Sequence, residues 1–197
     1  MFWRDPSVGL IGAIGQYTTQ RSHVDTGGGT IDFGADDYYA GLEGQYFFNN
    51  ITLYAQAAYD SRTFSSVGSI DGDGFILAGQ VRYFAMPDWS IAAKGSYGVI
   101  DYDTSAFFGA GSLKNTSWSA GLRSDYRLAS MPVNVFAELS YGENKTTGTA
   151  LFADISEKST RAMIGFQYSF GSKTLQERDR AGASLDPFET HTAAVTP

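Results

Sequence analysis

Two histidines, His23 and His191, are the only imidazoles this chain offers for general acid–base chemistry. His23 lies between Ser22 and Asp25, and Ser69 and Asp71 occupy the next polar connection. A hydroxyl, an imidazole and a carboxylate could therefore meet at one end of a fold, as acyl transfer through an activated nucleophile requires. His191, near the other end of the chain, stands in no comparable set. Cysteine is absent, which removes thiolate nucleophiles, disulfides and thiolate metal sites. The stretch Ser69-Ile70-Asp71-Gly72-Asp73-Gly74 carries paired carboxylates but lacks the ligand spacing and terminal Glu of an EF-hand. With Asp32, Asp36 and Asp37 it reads as solvated charge, so no metal or cofactor is expected. The net charge of -7 argues against a general nucleic-acid binder, which needs a basic face.

A second set of charges is more instructive, because each member sits inside an alternating apolar run. Glu43, Lys94, Arg123 and Glu138 interrupt segments of period-two hydrophobicity. The runs are Val8–Tyr17 (Gly-rich and less regular), Tyr38–Phe48, Ile51–Arg62, Phe75–Phe84, Trp89–Tyr102, Thr116–Leu128, Val133–Tyr141 and Thr160–Phe170, which predicts eight strands. Short connections (Asn49-Asn50, Ala85–Asp88, Ala129–Pro132) alternate with long polar ones (Thr18–Asp37, Thr63–Gly74, Asp103–Asn115, Gly142–Ser159). Nothing approaches the apolar length of a transmembrane helix, but a membrane-spanning strand needs only about 9–11 alternating residues.

Aromatic residues, 15% of the chain, collect at the ends of the apolar phase. Tyr38/Tyr46, Phe75/Tyr83, Trp89/Tyr97 and Trp118/Tyr126 are each eight residues apart, and Phe48, Tyr141, Tyr168 and Phe170 occupy matching ends. Eight tilted strand steps cover about 21 Å, close to the apolar height of an outer-membrane barrel. Rings at both ends of such a band form the interfacial girdle. The expected fold is all-β: an up-and-down antiparallel transmembrane β-barrel of eight strands, with short periplasmic turns and long extracellular loops. Residues 1–6 form an N-terminal periplasmic lead, 7–170 the barrel and 171–197 a C-terminal periplasmic tail. The start lacks a signal peptide, so the numbering is expected to begin after its removal.

Counted from the girdles, Glu43, Lys94, Arg123 and Glu138 share one depth on the phase opposite the apolar one. The interior of an eight-stranded barrel is just wide enough for side chains to fill. Two acids and two bases at one level must then meet or find other partners, and Glu43 is expected to face Arg123 across the lumen. Arg82, Asp125 and Arg127 form a lower layer, and Asp60, Arg62 and Arg161 an upper one.

This pattern resembles the OmpA-type family of small eight-stranded outer-membrane barrels, over about residues 7–170. The resemblance implies that Glu43, Lys94, Arg123 and Glu138 play the part of the charged cluster that plugs those barrels. The last predicted strand is similar to the signal read by the outer-membrane assembly machinery, with Gly165, Tyr168 and Phe170 matching its glycine and final aromatics. Met163 stands where a polar residue is usual, and the chain continues past Phe170.

The expected role is a structural or interaction scaffold displaying loops outside and a tail in the periplasm. A narrow, low-conductance pore is the first alternative. A lipid A-modifying enzyme using His23 is the second, since the lipid A palmitoyltransferase places its catalytic His, Asp and Ser in comparable outer loops. The charged interior argues against an acyl-chain pocket, so the chain is expected not to be an enzyme. Expected partners are outer-membrane lipids and lipopolysaccharide, the assembly machinery, and a protein docking on the tail through Leu175, Leu185 and Phe188. The stretch Thr174–Arg180 is helix-compatible, and Gly182 and Pro187 preclude a long helix.

Overall fold

The computed structural model describes residues 1–25, 30–65, 69–104, 111–129, 131–148, 154–168 and 171–181. Nine strands follow one another: β1 (Phe2–Asp5), β2 (Gly9–Asp25), β3 (Thr30–Phe48), β4 (Ile51–Ser65), β5 (Ser69–Met86), β6 (Trp89–Asp103), β7 (Ser112–Arg127), β8 (Val133–Gly148) and β9 (Ile155–Tyr168). Each pairs antiparallel with the next, giving one up-and-down sheet in sequence order. A short helix, α1 (Leu175–Ala181), follows β9.

Among the described residues the sheet has nine strands where eight were expected. The residues assigned to an N-terminal lead form β1, whose register runs Phe2↔Gly12 to Asp5↔Gly9. Asp5 makes the turn: its carboxylate accepts bonds from the backbone N–H (2.8 Å) and hydroxyl (2.6 Å) of Ser7, as an Asx turn does. Among the described residues β1 and β9 are the two ends of the sheet and do not pair with each other.

The long polar connections are also shorter than expected, because the strands run on into them. β2 and β3 pair from Gly9↔Tyr46 to Asp25↔Thr30, and β8 continues to Gly148. The acids assigned to loops therefore sit on a strand ladder. The short turns follow the sequence closely. At Asn49-Asn50 the backbone of Asn49 is left-handed, with φ of 49°, as the first position of a tight two-residue hairpin demands.

Alternation separates two faces. One carries an exposed apolar band that includes Leu42, Leu77, Val81, Leu122, Leu139 and Ile164. The rings of Tyr17 and Tyr38, Phe75 and Tyr97, and Trp118 and Tyr141 pair across neighbouring strands on this face, with centroids 4.8, 6.4 and 5.6 Å apart. The other face is concave: side chains from β3 through β9, with α1, line one cavity of about 480 Å³. Its core is Tyr39, Ala58 and Ile76, with Ile14 against them. Gly41 permits the tight approach there, since a Cβ at this position would lie 2.4 Å from that of Ala58.

Candidate functional site

Two polar networks line the concave face, and they differ in build. On β3 and β4, Glu43 is buried at 4% exposure. The Tyr54 hydroxyl lies 3.1 Å from its Oε2 and 2.8 Å from Gln56 Oε1, one proton serving two acceptors. Gln56 in turn donates to the Tyr39 hydroxyl. The carboxylate thus has a neutral donor, the Tyr54 hydroxyl, on its own wall.

On β6–β8 the network is ionic. Lys94 Nζ lies 2.7 Å from Glu138 Oε1, and Arg123 Nη1 lies 3.3 Å from Oε2 of the same carboxylate. Arg123 also makes two bonds of 2.8 Å to Asp125 and stacks 4.0 Å above the Phe136 ring. Registers explain the proximity: Arg123 pairs with Glu138, and Lys94 with Gly121, two residues from Arg123. A glycine at 121 leaves room, for a Cβ there would stand 3.3 Å from Lys94 Cε.

All four sequence-predicted charges are therefore on the concave face, but they form two groups. Glu43 does not meet Arg123: the guanidinium is taken by Asp125 and Glu138, its neighbours along the wall. The expected cross-lumen plug is corrected to a lateral cluster, and the cavity persists beside it. The lower-layer reading is corrected in detail too. Asp125 braces Arg123, whereas Arg82 is engaged by the tail. In the upper layer Arg62 lies 3.0 Å from Asp37 and 3.6 Å from Asp60.

The girdle residues Tyr38, Tyr46, Phe48, Phe75, Tyr83, Tyr97, Trp118, Tyr126, Tyr141 and Tyr168 are all exposed on the convex side. Trp89 is half-buried and donates its indole N–H to Ser124 Oγ at 3.0 Å. Gly165 turns inward against Phe136, where a Cβ would come within 2.7 Å of the ring. Phe170, Leu185, Phe188 and His191 lie outside the described residues.

His23 sits high on β2, with Nδ1 2.5 Å from Asp32 Oδ1 and both side chains at least 70% exposed. Strand alternation turns Ser22 to the opposite face of β2, and Asp71 accepts from Thr63 at 2.8 Å. Beside His23, Arg21 forms a two-pronged 3.0 Å pair with Asp36. That bond holds the Asp36 carboxyl below its ordinary value.

The feature that sequence reading missed is the seat of α1. Thr174 Oγ accepts the backbone N–H of Glu177 at 3.0 Å, and Glu177 reaches back to the N–H of Lys173 at 2.7 Å. This is a variant capping box, and Thr174-Leu175-Gln176-Glu177 carries its signature. Leu175 and Asp179, four residues apart, share one helix face and are both buried. Asp179 accepts a 2.5 Å bond from the Thr52 hydroxyl and pairs with Arg82. Gln176 bonds the carbonyls of Pro87 and Asn49, at 3.0 and 3.2 Å, from two short turns at once.

No family model and no curated protein matches the chain. Solved structures do. The translocator domain of the autotransporter NalP from Neisseria meningitidis superposes with a TM-score of 0.62 at 16% identity, covering 82% of this chain and 61% of that one. BauA, the ferric preacinetobactin receptor from Acinetobacter baumannii, gives 0.55 at 11% identity, covering 86% and 36%. OmpT, an outer membrane protein of Vibrio cholerae, in its trimer form gives 0.50 at 21% identity, covering 81% and 50%. The chain spans less than two thirds of each. These likenesses do not reach the OmpA-type family. They also withdraw the expectation that the chain is not an enzyme: a fold shared with OmpT, as with a translocator and a receptor, does not argue against catalysis. With its sheet, its exposed apolar band and these neighbours, the chain has the fold of an outer-membrane β-barrel.

Proposed function

We propose that this chain closes as an eight-stranded barrel through β2 and β9 and serves as an outer-membrane scaffold. Its short turns and both termini face the periplasm, and its strand extensions project outside. The single observation that carries the reading is the shared cavity. Side chains from β3 to β9 face one space, and β9 runs antiparallel to β2, so a β2–β9 pair continues the up-and-down order. Closure also follows from solvent chemistry, because lipid offers no partner to the open backbone edge of β9. β1 covers the β2 edge over Gly9–Gly12 and must yield it on closure.

In this reading the lateral Lys94–Glu138–Arg123 cluster stiffens one wall, and α1 obstructs the short-turn mouth. The convex apolar band meets lipids and lipopolysaccharide, and the β9 sequence with Gly165 and Tyr168 is what the assembly machinery engages. The OmpA-type resemblance supports the same architecture. The test is fractionation with gel analysis: the protein is expected in detergent-extracted outer membrane, migrating differently before and after boiling. A soluble monomer without detergent would overturn the reading. A narrow pore is the second reading, favoured by the 480 Å³ cavity beside the charge cluster.

A further inference from the structure

We propose that α1 is a removable stopper, seated by its own carboxylate in an anion site of the lumen, and that the vacated site admits a small anion. This rests on the closed-barrel reading above and adds to it a movable part and a ligand class.

The seat is built for a carboxylate. Thr52 is 1% exposed and directs its hydroxyl at Asp179, and Arg82 supplies the charge. The Asp179 side chain is itself only 4% exposed, yet it comes from a seven-residue helix joined to β9 by a short segment. A buried carboxylate of this kind is stable only while partners such as the Arg82 guanidinium and the Thr52 hydroxyl stay in place. Leu175 is the one buried apolar side chain of α1, while Gln176 and Arg180 grip turn carbonyls at the rim, Arg180 also lying 5.7 Å from the Phe47 ring centre. Polar grips of this kind exchange with water at little cost, whereas apolar burial does not. The helix is thus held chiefly by groups that a competing anion or water can replace.

Withdrawal of α1 removes Arg178 and Asp179 together from the lining. Among the described lining residues, Arg82, Lys94, Arg123 and Arg161 then face Asp125 and Glu138. Four cations against two carboxylates make the emptied cavity positive, although the whole chain carries -7. A narrow positive recess in a low-dielectric wall concentrates small anions.

The experiment uses the absence of native cysteine. Gln80, which lines the cavity, is replaced by Cys, and its labelling rate in folded protein is measured with two membrane-impermeant thiosulfonates, one bearing a sulfonate and one a quaternary ammonium. Each rate is normalised to that of a small free thiol. With α1 in place labelling should be slow. Asp179→Ala in the full chain, and separately a chain ending at Ser172, should each raise it about ten-fold or more, as local opening replaces a seated lid. The sulfonate should gain more than the ammonium reagent. Should the shortened chain fail to fold, Asp179→Ala carries the test by itself. Unchanged labelling, or labelling already fast with wild-type α1, overturns the stopper. Equal gains for both reagents overturn the anion site. Loss of heat-modifiable migration before any cysteine is introduced would instead sink the barrel reading.

Discussion

The wall formed by β3–β5 and the wall formed by β7–β9 are built from the same alternating pattern, yet only the first is a packed core. Tyr39, Tyr54, Ala58 and Ile76 are all below 8% exposure. Across the cavity the Arg123 side chain is 23% exposed, and the inward residue Arg161 is exposed outright. Period-two alternation determines which way a side chain points, and what stands opposite determines whether it is buried. The core of the first wall has Ile14 of β2 packed against it, whereas β9 lacks a strand partner on its far side among the described residues.

The contrast between the walls breaks most visibly at Ile76. Ile76→Ala on the packed wall should cost about 2–5 kcal/mol in reversible unfolding, as buried aliphatic truncations do. Leu139→Ala, on the convex side at 56% exposure, should cost far less in detergent. Equal losses at the two sites would show that the packed wall is not a core.

Charge pairing gives the next largest effect. Lys94→Met and Glu138→Gln should couple by about 0.5–3 kcal/mol in a double-mutant cycle. Glu43→Gln and Arg123→Met should add within about 0.5 kcal/mol, since their partners lie on different walls. Coupling of the second pair would restore the cross-lumen plug. Both energies are discounted for partial exposure of the bases.

A smaller effect concerns the ladder above the girdle. The Asp36 carboxyl is held below its ordinary value by Arg21, so its contribution is present above the unfolded value of 3.8 and is lost as pH falls through the lower folded one. Protection of the backbone amides of residues 17–25 against hydrogen exchange, relative to their intrinsic rates, should therefore fall on acidification below 3.8. Asp36→Asn should abolish that pH dependence. The smallest expected effect is deletion of residues 1–6, which removes the strand that would have to yield the β2 edge in the proposed closed barrel and should leave heat-modifiable migration intact.

Much of this was legible in sequence because alternation and girdle spacing are local signals. Tyr38/Tyr46 and Trp118/Tyr126 marked both the strands and their lipid-facing phase. The inward direction of Glu43, Lys94, Arg123 and Glu138 followed from the same count. Which of them meet did not, because pairing depends on register between strands: Arg123 lies opposite Glu138, and Glu43 opposite Gln56. Strand ends were misplaced where polar residues such as Asp32 and Asp36 pair across a solvated ladder, which hydropathy cannot distinguish from a loop. β1 was hidden by its brevity. The seat of Asp179 spans 127 residues back to Thr52, although the capping signature at Thr174–Glu177 lay in plain view.

Closure of the barrel is tested most directly by covalent capture of its seam. Gly15→Cys on β2, combined in turn with Thr160→Cys, Ala162→Cys and Ile164→Cys on β9, introduces the only thiols in the chain. A closed eight-stranded barrel brings at least one of these pairs within disulfide reach. The expected result is an intramolecular disulfide, read as a monomer whose heat-induced shift is lost until reductant is added. Failure of every pair, or cross-linking only between two copies, would contradict closure through β2 and β9.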